Sequence, residues 1–202
     1  YGYVADGYWC DIGNLAVYRQ AHKDVLDGLV NVEIDLPQIQ PGIWVGQGTQ
    51  IDSSVKLEAP VMIGKNCRIG RETEISPHTT LGDNVVVQEK ATLKQPVVWS
   101  NVYIGAKAAL RACVVCNNST IHSSASLLEG AIIGDNSSIG QEATIKSDVR
   151  IWPDKNVDSG AKVLSSLIWG TRAPRTLFGA HGVRGLANVE ITPEFAVNLA
   201  AA

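Results

Sequence analysis

Aliphatic residues recur along this chain at every sixth position. From Val45 the series runs Val45, Ile51, Leu57, Ile63, Ile69, Ile75, Leu81, Val87 and Leu93, with no polar member. Four residues after each stands a small or β-branched one: Thr49, Val55, Val61, Cys67, Thr73, Thr79, Val85, Ala91 and Val97. A second array starts at Ile121 and continues through Leu127, Ile133, Ile139, Ile145, Ile151, Val157 and Val163. Glycine often follows the aliphatic residue, as at Gly46, Gly64, Gly70, Gly82, Gly134 and Gly140.

Such a unit supplies one short strand and one tight turn. The aliphatic side chain points inward, the small residue fits near the corner, and Gly or Asn tolerates the turn backbone. Three units close a triangular coil, and successive coils hydrogen-bond at about 4.8 Å. Val45 to Trp169 leaves room for roughly seven coils, a prism roughly 30 Å tall. The predicted fold is therefore mainly β, a parallel β-helix of hexapeptide repeats over residues 43–169. A β-sandwich with chance spacing is the alternative, and the unbroken matches in two arrays argue against it. The arrays are out of phase by two residues between Val98 and Ile121. Val98–Tyr103 and Leu110–Cys116 are the expected sites of the slips, as shortened turns or bulges.

The flanks differ. In residues 1–42, Asn14 reads as an N-cap, and Leu15, Tyr18, Ala21, His22, Val25 and Leu26 share one helical face. Gly28 stands where a helix stops. A helix over Leu15–Asp27 is predicted, placed to cap the first coil, with an extended link through Pro37 and Pro41. In residues 170–202, Thr192 as N-cap and Pro193 at N1 start a helix truncated by the chain end.

Coils of this kind resemble the left-handed β-helix family, and the left hand comes from that resemblance. The segment Gly7-Tyr8-Trp9-Cys10-Asp11-Ile12-Gly13-Asn14, followed by a helix with Tyr18 and Ala21, resembles the end of the catalytic domain of nucleoside-diphosphate-sugar pyrophosphorylases. The match is closest to the mannose-1-phosphate guanylyltransferase and glucose-1-phosphate nucleotidyltransferase types. The resemblance implies that Asp11 helps hold Mg²⁺ against the nucleotide and sugar phosphates, as a hard cation takes oxygen ligands. A turn residue before a helix is the plainer reading of Asp11. The Gly-rich nucleotide loop of that family does not occur in this sequence.

Phe178-Gly179-Ala180-His181-Gly182-Val183-Arg184-Gly185, followed by Ile191-Thr192-Pro193-Glu194, resembles the opening of the phosphohexomutases (phosphomannomutase/phosphoglucomutase). That resemblance implies sugar-phosphate binding near Arg184 and His181. Ala180 and His181 depart from the usual Thr and Asp/Ser. The order of the parts is that of a pyrophosphorylase fused to a mutase-like domain, of which this chain would be an internal portion.

Composition narrows the picture. With 45% hydrophobic but only 6% aromatic residues, the core is aliphatic, which suits stacked strands. A net charge of −3 gives no electrostatic footprint for nucleic acid or an anionic membrane. No apolar run reaches spanning length and no signal peptide is visible, so a cytoplasmic setting is expected. Cys10, Cys67, Cys113 and Cys116 do not form a secreted disulfide framework. Cys113-Val-Val-Cys116 lacks a second pair, so partly buried strand thiols are expected rather than zinc ligands. His78 and His122 fall in turns. A histidine general base of a hexapeptide acyltransferase, or a zinc ligand, is the sharper reading of each, and an exposed turn residue the plainer one. Trp99, Trp152 and Trp169 are expected to cover coil faces or the last coil.

The function these readings favour is sugar-1-phosphate nucleotidyl transfer, with GTP and mannose 1-phosphate as substrates and GDP-mannose and pyrophosphate as products. The β-helix would serve as a structural and oligomerisation module in a homo-oligomer. By itself this chain is expected to be inactive. A non-catalytic scaffold or regulatory subunit is the alternative, and a hexapeptide acyltransferase the third reading.

Overall fold

The computed structural model describes residues 6–170, 172, 173, 187 and 191–200. Seven coils stack along one axis, and their short strands line up into three parallel sheets, one per prism face. The first face runs from Ile43–Val45 to Arg150–Ile151, the second from Gln50–Ile51 to Asn156–Val157, and the third from Lys56–Leu57 to Lys162–Val163. Each aliphatic residue sits on its counterpart one coil away, as in Ile63 on Val45, Ile69 on Ile51 and Ile75 on Leu57. Twelve of these inward side chains, Ile63 to Ile151, are the largest fully buried groups of the molecule. Burying each contributes roughly 1.5–3 kcal/mol.

Corners set the remaining composition. Ala91, Ala108, Ala125, Ala131, Ala143 and Ala161 are buried where larger side chains would collide. Thr73, Ser119 and Ser137 sit in the same interior and send their hydroxyls to the carbonyls of Gln88, Gly134 and Trp152. At Gly134 an added Cβ would lie 2.5 Å from the Pro153 nitrogen, so only glycine fits. The corner after the first face repeatedly adopts the left-handed conformation at Asn84, Asn101, Asn118 and Asn136. Asparagine tolerates that conformation. Here it also forms a ladder: each amide donates to the next, ending on Asp154.

The phase change resolves into two shortened corners. Ile63 lies under Leu81 and Val115 under Ile133, coils of 18 residues, whereas Leu81 lies under Val98 and Val98 under Val115, coils of 17. One residue is missing between Leu93 and Val98, the other between Leu110 and Val115. The second place was expected. The first was expected at Val98–Tyr103 and is corrected: Val98 itself points inward, and the turn before it closes early through Gln95, at φ 57°, and Pro96. Val97, expected as a small corner residue, faces outward beside Thr80.

A 12-residue helix, α1 (Leu15–Leu26), precedes the coils and ends one residue earlier than predicted, with Asp27 as its C-cap. It does not cap the first coil. That end is covered by Gln38–Gln40, which pairs antiparallel with the first strand. Helix α1 lies instead on the first face, for a reason visible in the outward positions there. Thr80, Val97 and Val114 are stacked in register and are 4%, 2% and 2% exposed. Val97 and Val114 put an apolar stripe on the outside, and the helix buries it. A second helix, α2 (Pro193–Ala200), starts with Pro193 at N1 as predicted. Among the described residues no helix is long and apolar enough to cross a membrane.

Candidate functional site: the motif segment on the prism flank

The segment before α1 is built by a few polar contacts. The Asn14 side chain accepts from the Val17 N–H at 3.0 Å and starts the helix. Tyr8 donates its hydroxyl to Asp24 at 2.6 Å, and Gln20 donates to the same carboxylate at 2.8 Å. These bonds fold the segment back on α1. They also hold the Asp24 carboxyl below its ordinary range and the Tyr8 hydroxyl above its own. Asp11 stands between them on an exposed stretch, its carbonyl accepting from the Gly13 N–H at 2.9 Å. Trp9 beside it is 83% exposed.

Two polar contacts pin α1 at its two ends. Trp99 donates its indole N–H to Tyr18 at 2.9 Å, and His78 Nε2 lies 2.8 Å from the Asp27 carboxylate. The helix therefore runs opposite to the coil order, its start near Trp99 and its end near His78. Tyr18 meets His22 edge-on at 4.7 Å between ring centres. Burial lowers the His22 pKa and raises that of Tyr18, so both are neutral at pH 7. Arg19 Nε and Thr80 Oγ1 are buried without a partner. Through these contacts the segment that contains Asp11 is tied, by way of α1, to the middle coils of the prism.

The other expected residues are not brought together. His181 and Arg184 lie outside the described residues. His78 sits at a corner before the first face and is paired with Asp27, while His122 follows a second-face strand, 3.3 Å from Ser138. Cys113 is buried and Cys116 half-buried, as expected of strand thiols. Burial pushes their pKa values up to about 12 and about 11, which holds both as neutral thiols. Among the described residues no three His, Cys, Asp or Glu side chains converge as metal ligands. Asp11 thus supplies one carboxylate and does not by itself form a Mg²⁺ site. Sequence reasoning missed the Tyr8–Asp24 and Tyr18–Trp99 bonds; neither pairing has a spacing signal, since the second joins residues on different elements.

Residues 38–145 match the family described as the EIF2B subunit epsilon LbH domain, LbH denoting the left-handed β-helix. The chain belongs to this family. The hand of the coils is thereby the left hand, against the usual right-handed rule for parallel crossovers. Curated relatives of this LbH chain include the bifunctional protein GlmU of Enterococcus faecalis, 26% identical over 94% of this chain and 41% of the relative. A UTP–glucose-1-phosphate uridylyltransferase of Synechocystis is 27% identical over 52% of this chain and 28% of the relative. A glucose-1-phosphate thymidylyltransferase of Streptomyces antibioticus is 32% identical over 40% of this chain and 23% of the relative. The LbH chain spans less than half the length of each. Its homologues are sugar-phosphate nucleotidyltransferases, the enzyme class that the motif around Asp11 resembles.

Proposed function

We propose that this chain serves in a sugar-1-phosphate nucleotidyltransferase that makes GDP-mannose from GTP and mannose 1-phosphate. An oxygen of the sugar phosphate attacks the α-phosphorus of the nucleotide, and pyrophosphate leaves. Asp11 is assigned as one carboxylate ligand of the Mg²⁺ that neutralises the phosphates. Residues 1–42 belong to the end of the catalytic domain, 43–169 form the β-helix, and 170–202 open a phosphohexomutase-like domain with Arg184 and His181 at its sugar-phosphate loop. The β-helix acts as spacer and side-by-side contact in a cytoplasmic homo-oligomer. One observation carries this reading: the Gly7–Asn14 motif runs directly into a helix that is docked on the β-helix flank.

The test is pyrophosphate release by the product of the whole reading frame, with GTP and mannose 1-phosphate and with the other nucleotide and sugar-phosphate pairs. Asp11→Asn should lower the rate by about 100-fold or more, the scale on which losing a charge-stabilising contact acts. The 202-residue chain alone should release none. The family match favours a second reading, a regulatory or scaffold subunit, because its model describes a subunit of a multi-subunit assembly. Absence of pyrophosphate release with every pair would replace the first reading with the second.

A further inference from the structure

We propose that the two shortened corners form a binding site for a phosphate group carried on a small hydroxylated molecule. They enclose an open depression of about 380 Å³ lined by Ser76, Lys94, Gln95, Arg111, Ala112 and Glu129. Three features mark this depression: two point to an anion, and the third to hydroxyl groups on the molecule that carries it.

The first is a break in the charge pattern. Three cations of the prism each stand over a carboxylate one coil away: Lys56 with Glu74, Arg71 with Glu89 and Lys90 with Glu72. Here Lys94 is paired in register with Arg111, cation on cation. Like charges facing each other across neighbouring strands are destabilising. Among the described residues neither side chain forms an ion pair. Glu74 in the coil below feels the charge of Lys94 but is bonded to Lys56 at 2.8 Å.

The second is a backbone donor left over. From Asn66 to Gly160, each turn residue in the left-handed conformation donates its N–H to the coil before, as Lys90 does to Arg71 and Ala112 to Lys94. Glu72 does so to the Ser54 hydroxyl. Gln95 is the exception among the described residues. Its five-residue corner lies over a six-residue one, so its N–H is out of line with the carbonyls below. Oriented backbone N–H groups in such turns suit anions.

The third is Glu129 on the rim. Against two cations it leaves the site one positive charge, and its carboxylate can accept hydroxyl donors. The Ser76 hydroxyl, only 3.5 Å from the Pro77 carbonyl, is a further weakly engaged donor. The site therefore suits a phosphorylated sugar, with free phosphate as the other source of the same chemistry. This inference does not rest on the nucleotidyltransferase reading.

The experiment is a two-dimensional NMR titration of the 202-residue chain with inorganic phosphate and, separately, glucose 6-phosphate. The Gln95 amide should shift saturably with both. Lys94→Ala and Arg111→Ala should each weaken binding roughly tenfold, the scale of a charged hydrogen bond. Both side chains are exposed, so the rest of the amide spectrum should not move. Glu129→Gln should tighten inorganic phosphate and weaken glucose 6-phosphate. Arg68→Ala on the second face should change nothing. A Gln95 amide that does not move, or equal weakening by Arg68→Ala, would overturn the proposal in favour of diffuse charge attraction.

Discussion

At the scale of single residues, burial decides which groups react and which stay silent. The Cys113 and Cys116 thiols are held protonated well above neutral pH. Since the thiolate is the nucleophile, iodoacetamide at about pH 8 should leave both unmodified in the folded protein. Mass spectrometry should find them alkylated only after denaturation. The Tyr8–Asp24 bond gives a pH prediction with two limits. Asp24 is lowered from its ordinary value of about 3.9, so its contribution is present above that pH and lost as pH falls through the depressed value. Tyr8 is raised above about 10, so its contribution is present below that pH and lost as pH rises through the raised value. Tyr8→Phe should return the Asp24 carboxyl toward its ordinary titration, read by carboxyl-carbon NMR. An unchanged Asp24 titration would show that the bond does not form in solution.

At the scale of elements, the sequence reveals strands better than it reveals docking. Apart from the two five-residue steps, the inward strand residues of the coils lie on a period of six, because a large side chain buried there without a polar partner must be aliphatic whatever its neighbours are. Helix α1 was equally legible, from Asn14 and its apolar face. Its place was not, because the stripe that receives it, Thr80, Val97 and Val114, contains a polar residue and spans three coils separated by 17 residues. Half of the phase slip was misplaced for a related reason: Val97 and Val98 are chemically alike, and only the coil above distinguishes the inward one. The contacts that dock the motif segment were not legible, since bonds such as Tyr18–Trp99 join residues 81 apart. Val114→Asp would place a carboxylate beneath the helix, where burying an unpaired charge is costly. We expect α1 to detach while the coils persist, with faster tryptic cleavage after Lys23 and an unchanged far-ultraviolet β signal. Protection of Lys23 equal to that of the wild type would disprove the docking.

At the scale of the whole molecule, stability is the sum of coils and the contacts between them. The middle of the first face is covered by α1, whereas the second and third faces present small or polar, half-buried outward residues such as Thr120, Ser126 and Ser138. Trp152 and Trp169, expected to cover coils, are 51% and 67% exposed. These surfaces suit the side-by-side association proposed above. Light scattering at micromolar concentration should therefore give at least twice the 21.6 kDa chain mass, and a monomer mass would count against it.

The position of α1 also decides how the molecule bears load. The chain enters the prism at its first coil, yet the helix before it is fastened three to five coils along, at His78, Trp99 and Val114. A pull on the amino-terminal side does not peel the first rung, whose hydrogen bonds would open one pair at a time. It meets α1 first and is spread over several rungs at once. The helix acts as a strain relief, like the clamp that keeps a tug on a cable from reaching its terminal, and single-molecule stretching should show one early detachment before any coil unwinds.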